Sequence, residues 1–200
     1  MSGLQNVVSA QQGPVARSNP RDDALLLSQI AAKDLRAFER LYRAYHPRLG
    51  RFLINILRRP HLVEEVLNDT MMVVWTRPDS YNGACRVSTW IFAIAYRKAL
   101  KALRRHHDPI EDTQAHSRAS LDDDPEQLAG RRQIGEQLQK AIGELSAVHR
   151  AVVDLTYFHE IGYREIGEIM ACPVDTVKTR MYYARRHLKE RLAGQLTDWL

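Results

Sequence analysis

A stretch of six cations without any acid, which also carries a tryptophan, lies in the middle of the chain, at residues 84–107. An exposed indole can stack on an unpaired base while Arg and Lys contact phosphates, which is how proteins hold single strands. The loop before it, residues 81–86, offers a place for an extruded base. The alternative is that Trp90 is a core residue, since tryptophan is usually largely buried. On a helix, Trp90 falls on the same side as Ile94, Arg97, Lys101 and Arg104.

A second cationic surface is predicted after the turn Ala171-Cys172-Pro173. A recognition helix in a major groove needs polar and aromatic groups toward the bases and cations toward the phosphate walls. The alternative is a solvated amphipathic helix in an ordinary bundle. The apolar stripe of this helix comprises Val174, Val177, Met181, Ala184, Leu188 and Leu192. The opposite face carries Asp175, Thr179, Tyr182, Tyr183 and Arg186, with Lys178 at one edge.

A third surface has a different character, because acids and amides surround a methionine on it. It lies opposite the apolar stripe that runs from Val63 to Val74. An exposed methionine among acids suits a protein partner with basic residues better than it suits DNA. A solvated acidic face is the alternative. The surface consists of Glu65, Asn68, Asp69, Met72 and Thr76.

Helices must position all three surfaces, and helical periodicity dominates the chain. Apolar residues recur at three- and four-residue steps from Phe38 to Ile56, and Asp34 stands ahead of them as an N-cap. The next helix ends at Arg77-Pro78, and another starts near Ser88. No alternating strand pattern of useful length is present, so the fold class is predicted to be all-α.

A short helix precedes the turn at residues 171–173, which completes a helix-turn-helix. Tyr163, Ile166, Gly167 and Met170 lie on one of its faces. Gly167 lacks a Cβ at a point where another helix could cross closely. Ser146 is the predicted cap of an earlier helix in the same region.

Composition divides the 200-residue chain into two small helical domains joined by an acidic flexible linker. We predict a disordered leader at 1–22, a first domain at 23–107, a linker at 108–130 and a second domain at 131–200. Residues 108–126 hold seven acids and one base, a net charge of −6. Without this segment the chain would carry +11 rather than +5, so both domains are more basic than the total suggests.

Several classes of protein are excluded by composition. Two cysteines, Cys85 and Cys172, are too few for a disulfide scaffold or a four-cysteine zinc site. The N-terminus lacks the apolar segment of a secretory signal, and no apolar run approaches the ~20 residues of a membrane helix. The sequence therefore predicts a cytoplasmic protein.

Three segments, in this order, resemble bacterial RNA polymerase sigma factors of the extracytoplasmic-function (ECF) type. The first reads AFERLYRAYHPRLGRFL. The second reads VEEVLNDTMMVVWTRPDSYNGACRVSTWIFAIAYRKALKALRR. The third reads ELSAVHRAVVDLTYFHEIGYREIGEIMACPVDTVKTRMYYARRHLKERL. The resemblance implies one domain that binds the polymerase clamp and melts the minus-ten element, and one that reads the minus-thirty-five element.

The resemblance also implies a role for each surface. Core RNA polymerase would be bound by Glu65, Asn68, Asp69 and Met72. The minus-ten element would be bound by Tyr81, Asn82, Arg86, Trp90, Arg97, Lys98 and Lys101. The minus-thirty-five element would be bound by Thr176, Lys178, Thr179, Tyr182, Tyr183 and Arg186. The expected partners are core polymerase and promoter DNA, and an anti-sigma factor is common in the family. Neither catalysis nor a cofactor is expected.

Two rival functions stay open at this point. A stand-alone helix-turn-helix regulator would bind operators as a dimer, but it gives the acid-free Trp90 helix no obvious role. A metal-dependent enzyme or sensor could use the clustered histidines and acids, although they show no HExxH-like spacing and lie in the predicted linker. Those residues are His106, His107, Asp108, Asp112 and His116.

Overall fold

Every regular element is helical in the described part of the chain. A computed structural model describes residues 20–106 and 129–196. The elements are α1 (Pro20–Ala31), α2 (Leu35–Leu57), α3 (Pro60–Thr76), a short 3-10 turn (Pro78–Ser80), α4 (Val87–Arg105), α5 (Ala129–Glu144), α6 (Ala147–Tyr157), α7 (Tyr163–Met170) and α8 (Val174–Leu196). The predicted all-α fold class is confirmed. We call α1–α4 the first unit and α5–α8 the second unit.

Helices α2, α3 and α4 of the first unit begin or end close to the residues that the sequence predicts. The Asp34 carboxylate accepts hydrogen bonds from the backbone N–H groups of Arg36 (2.8 Å) and Ala37 (3.2 Å), so it caps α2. Helix α3 ends just before Arg77-Pro78, and α4 begins one residue ahead of Ser88. The fully buried side chains of α2 include Leu41, Tyr45, Leu49, Phe52, Leu53 and Ile56.

Two predicted boundaries need correction. Helix α1 begins at Pro20, inside the segment predicted to be a disordered leader. A proline and the acids Asp22 and Asp23 in the first turn favour a helix start, and Asp23 is buried where it accepts a hydrogen bond from Tyr45 Oη (2.6 Å). Helix α5 begins at Ala129, inside the predicted linker. The rest of both segments lies outside the described residues.

The predicted helix-turn-helix is present in the second unit. Helix α7 ends in the left-handed residue Ala171 (φ 51°), and α8 follows Pro173. The Cys172 N–H donates to the Gly167 carbonyl (3.0 Å), which pulls the turn over this glycine. A Cβ at position 167 would lie 2.8 Å from the Cys172 carbonyl oxygen. We predicted a crossing helix here, and the structure instead places the backbone of the turn itself against the glycine.

We predict that Gly167→Ala lowers the free energy of unfolding by about 1–3 kcal/mol, because the added methyl meets a backbone carbonyl that must shift. Urea unfolding followed by circular dichroism measures the change. Gly50→Ala is the matched control, since a Cβ there meets no atom within 4 Å. That control should be neutral or stabilising, because alanine favours a helix interior. Equal destabilisation by both variants would contradict the close approach.

The two units pack against each other in the structure. Helix α4 contacts α7, and helix α2 contacts α6. One residue of α4 differs from the predicted face: Ile94 is buried, whereas Arg97, which was placed on the same side, is exposed. Periodicity within one helix does not reveal contacts with residues that are distant in the sequence. Besides helices of the first unit, α4 also contacts α7 of the second unit.

Candidate nucleic-acid and protein interfaces

The loop between the 3-10 turn and α4 is held in a defined shape by its own side chains. Tyr81 Oη donates to the Cys85 carbonyl (2.5 Å), which spans the loop. The Asn82 side-chain oxygen accepts a hydrogen bond from the Ala84 N–H (3.0 Å), as in an Asx-turn. Gly83 has a φ of 75°, which favours glycine. The loop is therefore shaped before any ligand arrives.

Trp90 stands at the edge of this loop. Its ring centroid lies 5.6 Å from that of Tyr81, with the two planes tilted by 55°. The side chain is half-buried, so it is neither a fully buried core residue nor a free surface residue. The indole is supported from one side by Tyr81 and retains an exposed part.

The predicted cations of α4 divide into two groups. Arg97 and Lys101 are exposed, and Arg104 is exposed with them. Lys98 is half-buried and donates to Asp69 of α3 (3.0 Å). Arg86, just before the helix, is exposed but lies near an acid of the second unit. Lys98 therefore stands at the border between the cationic face of α4 and the acidic face of α3.

The acidic face of α3 is exposed as predicted. Its four assigned residues Glu65, Asn68, Asp69 and Met72 all reach solvent. Glu65 forms an ion pair with Arg105 of α4 (2.6 Å), in parallel with the pair between Asp69 and Lys98. These pairs fix the carboxylates relative to α4, although exposed ion pairs contribute little to stability.

An apolar groove beside this face was missed by the sequence reasoning. It has a volume of about 380 Å³ and runs between α2 and α3. Met72 is 58% exposed at its rim, and Leu35 is 66% exposed. Phe38 and Tyr42 fit the apolar periodicity of α2, but they are only half-buried. The groove is lined by Leu35, Phe38, Tyr42, Asn68, Met71, Met72 and Trp75.

Helix α8 presents the predicted polar and aromatic face. Tyr182 and Tyr183 are 62% and 48% exposed, and their rings meet edge to face at 5.6 Å. The Arg186 guanidinium lies over the Tyr183 ring (5.4 Å). Lys178 and Thr179 are exposed and Thr176 is half-buried. Val177, Met181 and Ala184 are buried on the other side, as the apolar stripe predicts.

Family profiles match the chain in both units. The profile described as Sigma-70 region 2 matches residues 41–108, and the one described as Sigma-70, region 4 matches residues 135–188. The chain belongs to the sigma-70 family. The first match covers most of α2 and all of α3 and α4, and the second covers the helix-turn-helix.

The relatives of this sigma factor include proteins named ECF RNA polymerase sigma factors. SigK of Mycobacterium sp. (strain KMS) is 27% identical over 172 residues, which cover 84% of this chain and 89% of SigK. SigW of Bacillus subtilis (strain 168) is 25% identical over 176 residues, which cover 83% and 94% of the two chains. Their lengths agree closely with that of this sigma factor.

Two solved structures have the same fold. CnrH in complex with the cytosolic domain of CnrY gives a TM-score of 0.64 at 21% identity, covering 87% of this chain and 99% of CnrH. RpoE in complex with the anti-sigma factor NepR from Bartonella quintana gives a TM-score of 0.62 at 24% identity, covering 80% of this chain and 99% of RpoE.

The structure of this sigma factor offers no metal site within residues 20–106 and 129–196, since no group of three or more His, Cys, Asp or Glu side chains there could hold an ion. Of the residues in the metal-dependent rival, only His106 belongs to that part of the chain. His107, Asp108, Asp112 and His116 lie outside the described residues. None of the described helices is both long and apolar enough to cross a membrane.

The loop at residues 81–86 contains a thiol with a shifted pKa. Burial, and next the negative charges of Glu168 and Glu165, raise the pKa of Cys85 above its ordinary value. Burial and the neighbouring Cys85 also raise the pKa of Tyr81, which keeps its hydroxyl protonated and able to donate. Cys85 is therefore largely a neutral thiol near pH 8.

We predict that Cys85 is alkylated by iodoacetamide more slowly at pH 8 than a small free thiol, because only the thiolate reacts. Glu168→Gln removes one cause of the raised pKa, so the rate at pH 8 should rise. At pH values above both pKa values the two rates should converge. Peptide mapping by mass spectrometry follows the site, and equal rates at pH 8 would contradict the electrostatic effect of Glu168.

Proposed function

We propose that this sigma factor binds core RNA polymerase, directs it to two-part promoters and promotes melting of the minus-ten element. One observation carries the proposal: the region 2 and region 4 matches coincide with the units that present the three surfaces. One surface is acidic and apolar, and the other two are cationic and aromatic. The comparisons do not favour the stand-alone dimeric regulator.

The roles of individual residues are also proposals. The α3 face and its groove bind polymerase through Glu65, Asn68, Asp69 and Met72. The loop and α4 bind the minus-ten element through Tyr81, Asn82, Arg86, Trp90, Arg97, Lys98 and Lys101. Helix α8 binds the minus-thirty-five element through Thr176, Lys178, Thr179, Tyr182, Tyr183 and Arg186. The exposure of the α3 set and of most of the α8 set supports these roles.

Promoter melting in this proposal needs no catalytic group on the sigma factor. Phosphate contacts supply salt-dependent affinity, and capture of an unpaired base in the loop makes strand separation more favourable. The protein would act in the cytoplasm, where polymerase acts. Because two relatives of the same fold were solved with CnrY and NepR, we include an anti-sigma factor among the proposed partners.

Reconstituted transcription tests the proposal. Core polymerase is incubated with a promoter library, with and without this sigma factor, and run-off transcripts are sequenced. The sigma factor should yield transcripts that start behind a shared two-part sequence. No sequence-dependent initiation above core polymerase alone would refute the function. A clear footprint of the unaided protein on duplex DNA would instead favour the dimeric regulator.

We predict that Tyr183→Ala weakens use of the upstream element by roughly 5- to 100-fold, the range expected for one good base contact. Affinity for core polymerase should stay unchanged, because Tyr183 lies on α8, away from the α3 groove. Leu25→Ala is the control, since Leu25 is a 59% exposed residue of α1 and lies outside α8. Filter binding measures the affinity for core polymerase, and run-off transcription measures use of the upstream element. Loss of core affinity would contradict the division of surfaces.

A further inference from the structure

The outward face of α2 carries a row of arginines that belongs to none of the three proposed surfaces. Helix α2 contains five arginines and no lysine, and its only acid is Glu39, so the helix carries a net charge of +4. Four of these arginines recur at three-, four- and eight-residue steps, which places them on one side of the helix. All four are exposed. We call them the α2 stripe: Arg36, Arg40, Arg43 and Arg51.

Most of the charge of the α2 stripe is not neutralised by acids. Arg43 pairs with Glu39 one turn earlier (2.6 Å), and both side chains are exposed. The other three arginines of the stripe form no ion pair with any residue of 20–106 or 129–196. The cations of α4 differ in this respect, since two of them pair with acids of α3. Like charges one turn apart on a helix repel, so the stripe favours an anionic ligand that neutralises it.

The fifth arginine of α2 has a structural role that the stripe lacks. The Arg48 guanidinium lies over the rings of Tyr45 (5.0 Å) and Phe92 (5.5 Å), and Arg48 is half-buried. Packing on aromatic rings accounts for an arginine at this position. Arg36 and Arg40 have neither a ring nor an acid beside them in the described part of the chain, and both are exposed. Packing within the protein therefore does not account for the stripe.

The geometry of the α2 stripe suits a polymer with regularly spaced negative charges. A helix rises by about 1.5 Å per residue, so Arg36 and Arg51 stand about 22 Å apart along α2. Duplex DNA carries one phosphate per ~1.7 Å of its axis, so a stripe of this length spans several phosphates. Guanidinium groups bind phosphate oxygens through two parallel hydrogen bonds, which lysine cannot do. Arg51 lies over the Phe158 ring (5.5 Å) and stays exposed at the far end of the stripe.

The surroundings of the stripe distinguish DNA from an acidic protein as its ligand. A protein interface has an apolar or aromatic centre. Among the described residues, no exposed large hydrophobic side chain of α2 lies between Arg36 and Arg51. Phe38 and Tyr42, which line the groove, are each two residues from Arg40 and therefore about 160° around the helix from it. A partner seated in the groove would leave the stripe uncovered.

We propose that the α2 stripe is a further DNA-binding site, which contacts the phosphate backbone of promoter DNA independently of base sequence when the sigma factor is bound to core polymerase. Phosphate contacts add affinity and salt dependence, but they carry no sequence preference. They fix the position of the DNA while the loop and α8 contact bases. The inference rests on the proposed function, because its ligand is the promoter DNA that this function requires.

Charge variants of exposed side chains test the stripe without disturbing the core. Arg40→Gln removes one cation, and its combination with Arg36→Gln removes two, while glutamine keeps a good helix former at each position. Glu39→Gln acts in the opposite direction, because it leaves Arg43 without its acid. Lys140→Gln is the matched control for Arg40→Gln, since Lys140 is an exposed cation of α5 in the second unit. Circular dichroism melts verify that each variant is folded.

Core polymerase saturated with each variant is titrated onto a labelled promoter duplex at salt concentrations from about 50 to 200 mM, because the slope of log affinity against log salt counts the phosphates contacted. Arg40→Gln should make this slope shallower by about 1, and the double variant by about 2. The double variant should also bind roughly tenfold more weakly at the higher salt. Glu39→Gln should bind more tightly with a steeper slope, a gain that unfolding cannot produce. Each effect should be equal on two promoters with different flanking sequences.

Slopes for the stripe variants equal to that of Lys140→Gln would overturn the inference, and the proposed function would stand if run-off transcription stayed promoter-specific. A loss that depended on the flanking sequence would also overturn it, because base contacts would then be involved. If the variants bound core polymerase more weakly and kept the wild-type slope on DNA, the ligand of the stripe would be an acidic protein surface instead. Failure of the wild type to direct promoter-specific initiation would refute the proposed function, and the inference with it.

Discussion

Replacing Met72 by Asp should lower the affinity of this sigma factor for core RNA polymerase by about 30-fold or more. Met72 is 58% exposed at the rim of the groove between α2 and α3, beside Leu35 and Trp75. An exposed apolar side chain that lines such a groove and becomes buried by a partner can contribute about 2 kcal/mol or more to an interface, which corresponds to the stated factor. The aspartate would also place a charge where a partner excludes water.

Fluorescence titration of core polymerase with the labelled sigma factor measures this affinity. Leu25→Asp is the matched control, because Leu25 is a 59% exposed leucine of the same unit that does not line the groove. It should bind polymerase as the wild type does. Leu35→Asp, inside the groove, should behave like Met72→Asp. If Leu25→Asp and Met72→Asp lost affinity equally, or if neither lost any, the groove would not be the polymerase contact.

The groove also illustrates where sequence reasoning stops. The polar half of the surface follows from one helix, because Glu65, Asn68 and Asp69 occupy the face opposite a clear apolar stripe. The apolar half comes from α2, where Phe38 and Tyr42 fit the periodicity of a core stripe. Periodicity gives the direction of a side chain on its helix, but it does not show whether a neighbouring helix reaches far enough to cover it.

Signals carried by a few adjacent residues determine where several helices begin and end. The Asp34 cap and the stop at Arg77-Pro78 depend on a few adjacent residues, so the sequence could reveal them. The burial of Asp23 against Tyr45 could not be predicted in this way, since it depends on a partner from another element. Thr89 and Glu165 are 76 positions apart in the sequence, and neither segment carries a local pattern that predicts the contact between them.

The acid–cation pairs between α3 and α4 link two of the proposed surfaces physically. Lys98 was predicted to face DNA, and it bonds to Asp69 of the proposed polymerase face. Arg105 likewise bonds to Glu65. Polymerase that engages these acids would compete with the cations of α4 for them. Binding at α3 would therefore alter the charges available to DNA on α4, which couples polymerase binding to the minus-ten surface.

Trp90→Ala should slow open-complex formation by roughly 5- to 100-fold once polymerase is bound. The estimate follows from the ~1–3 kcal/mol that base stacking on an aromatic ring contributes. Trp90 is half-buried, and its ring centroid lies 5.6 Å from that of Tyr81. Its exposed part therefore adjoins the loop that would receive the base. Permanganate reactivity of promoter thymines against time measures strand opening. Polymerase affinity, which we propose to depend on α3, should not change.

Loss of packing must be separated from loss of stacking, because truncating a partly buried tryptophan can destabilise a domain by about 3–5 kcal/mol. Trp90→Leu fills much of the volume without a π face, whereas Trp90→Phe retains a ring that can stack. If the ring acts on the base, Trp90→Phe should open promoters faster than Trp90→Leu at equal thermal stability. If the two variants open promoters at the same rate and differ from the wild type only in melting temperature, Trp90 has a packing role alone, and capture of the base must depend on Tyr81, Asn82 and Arg86.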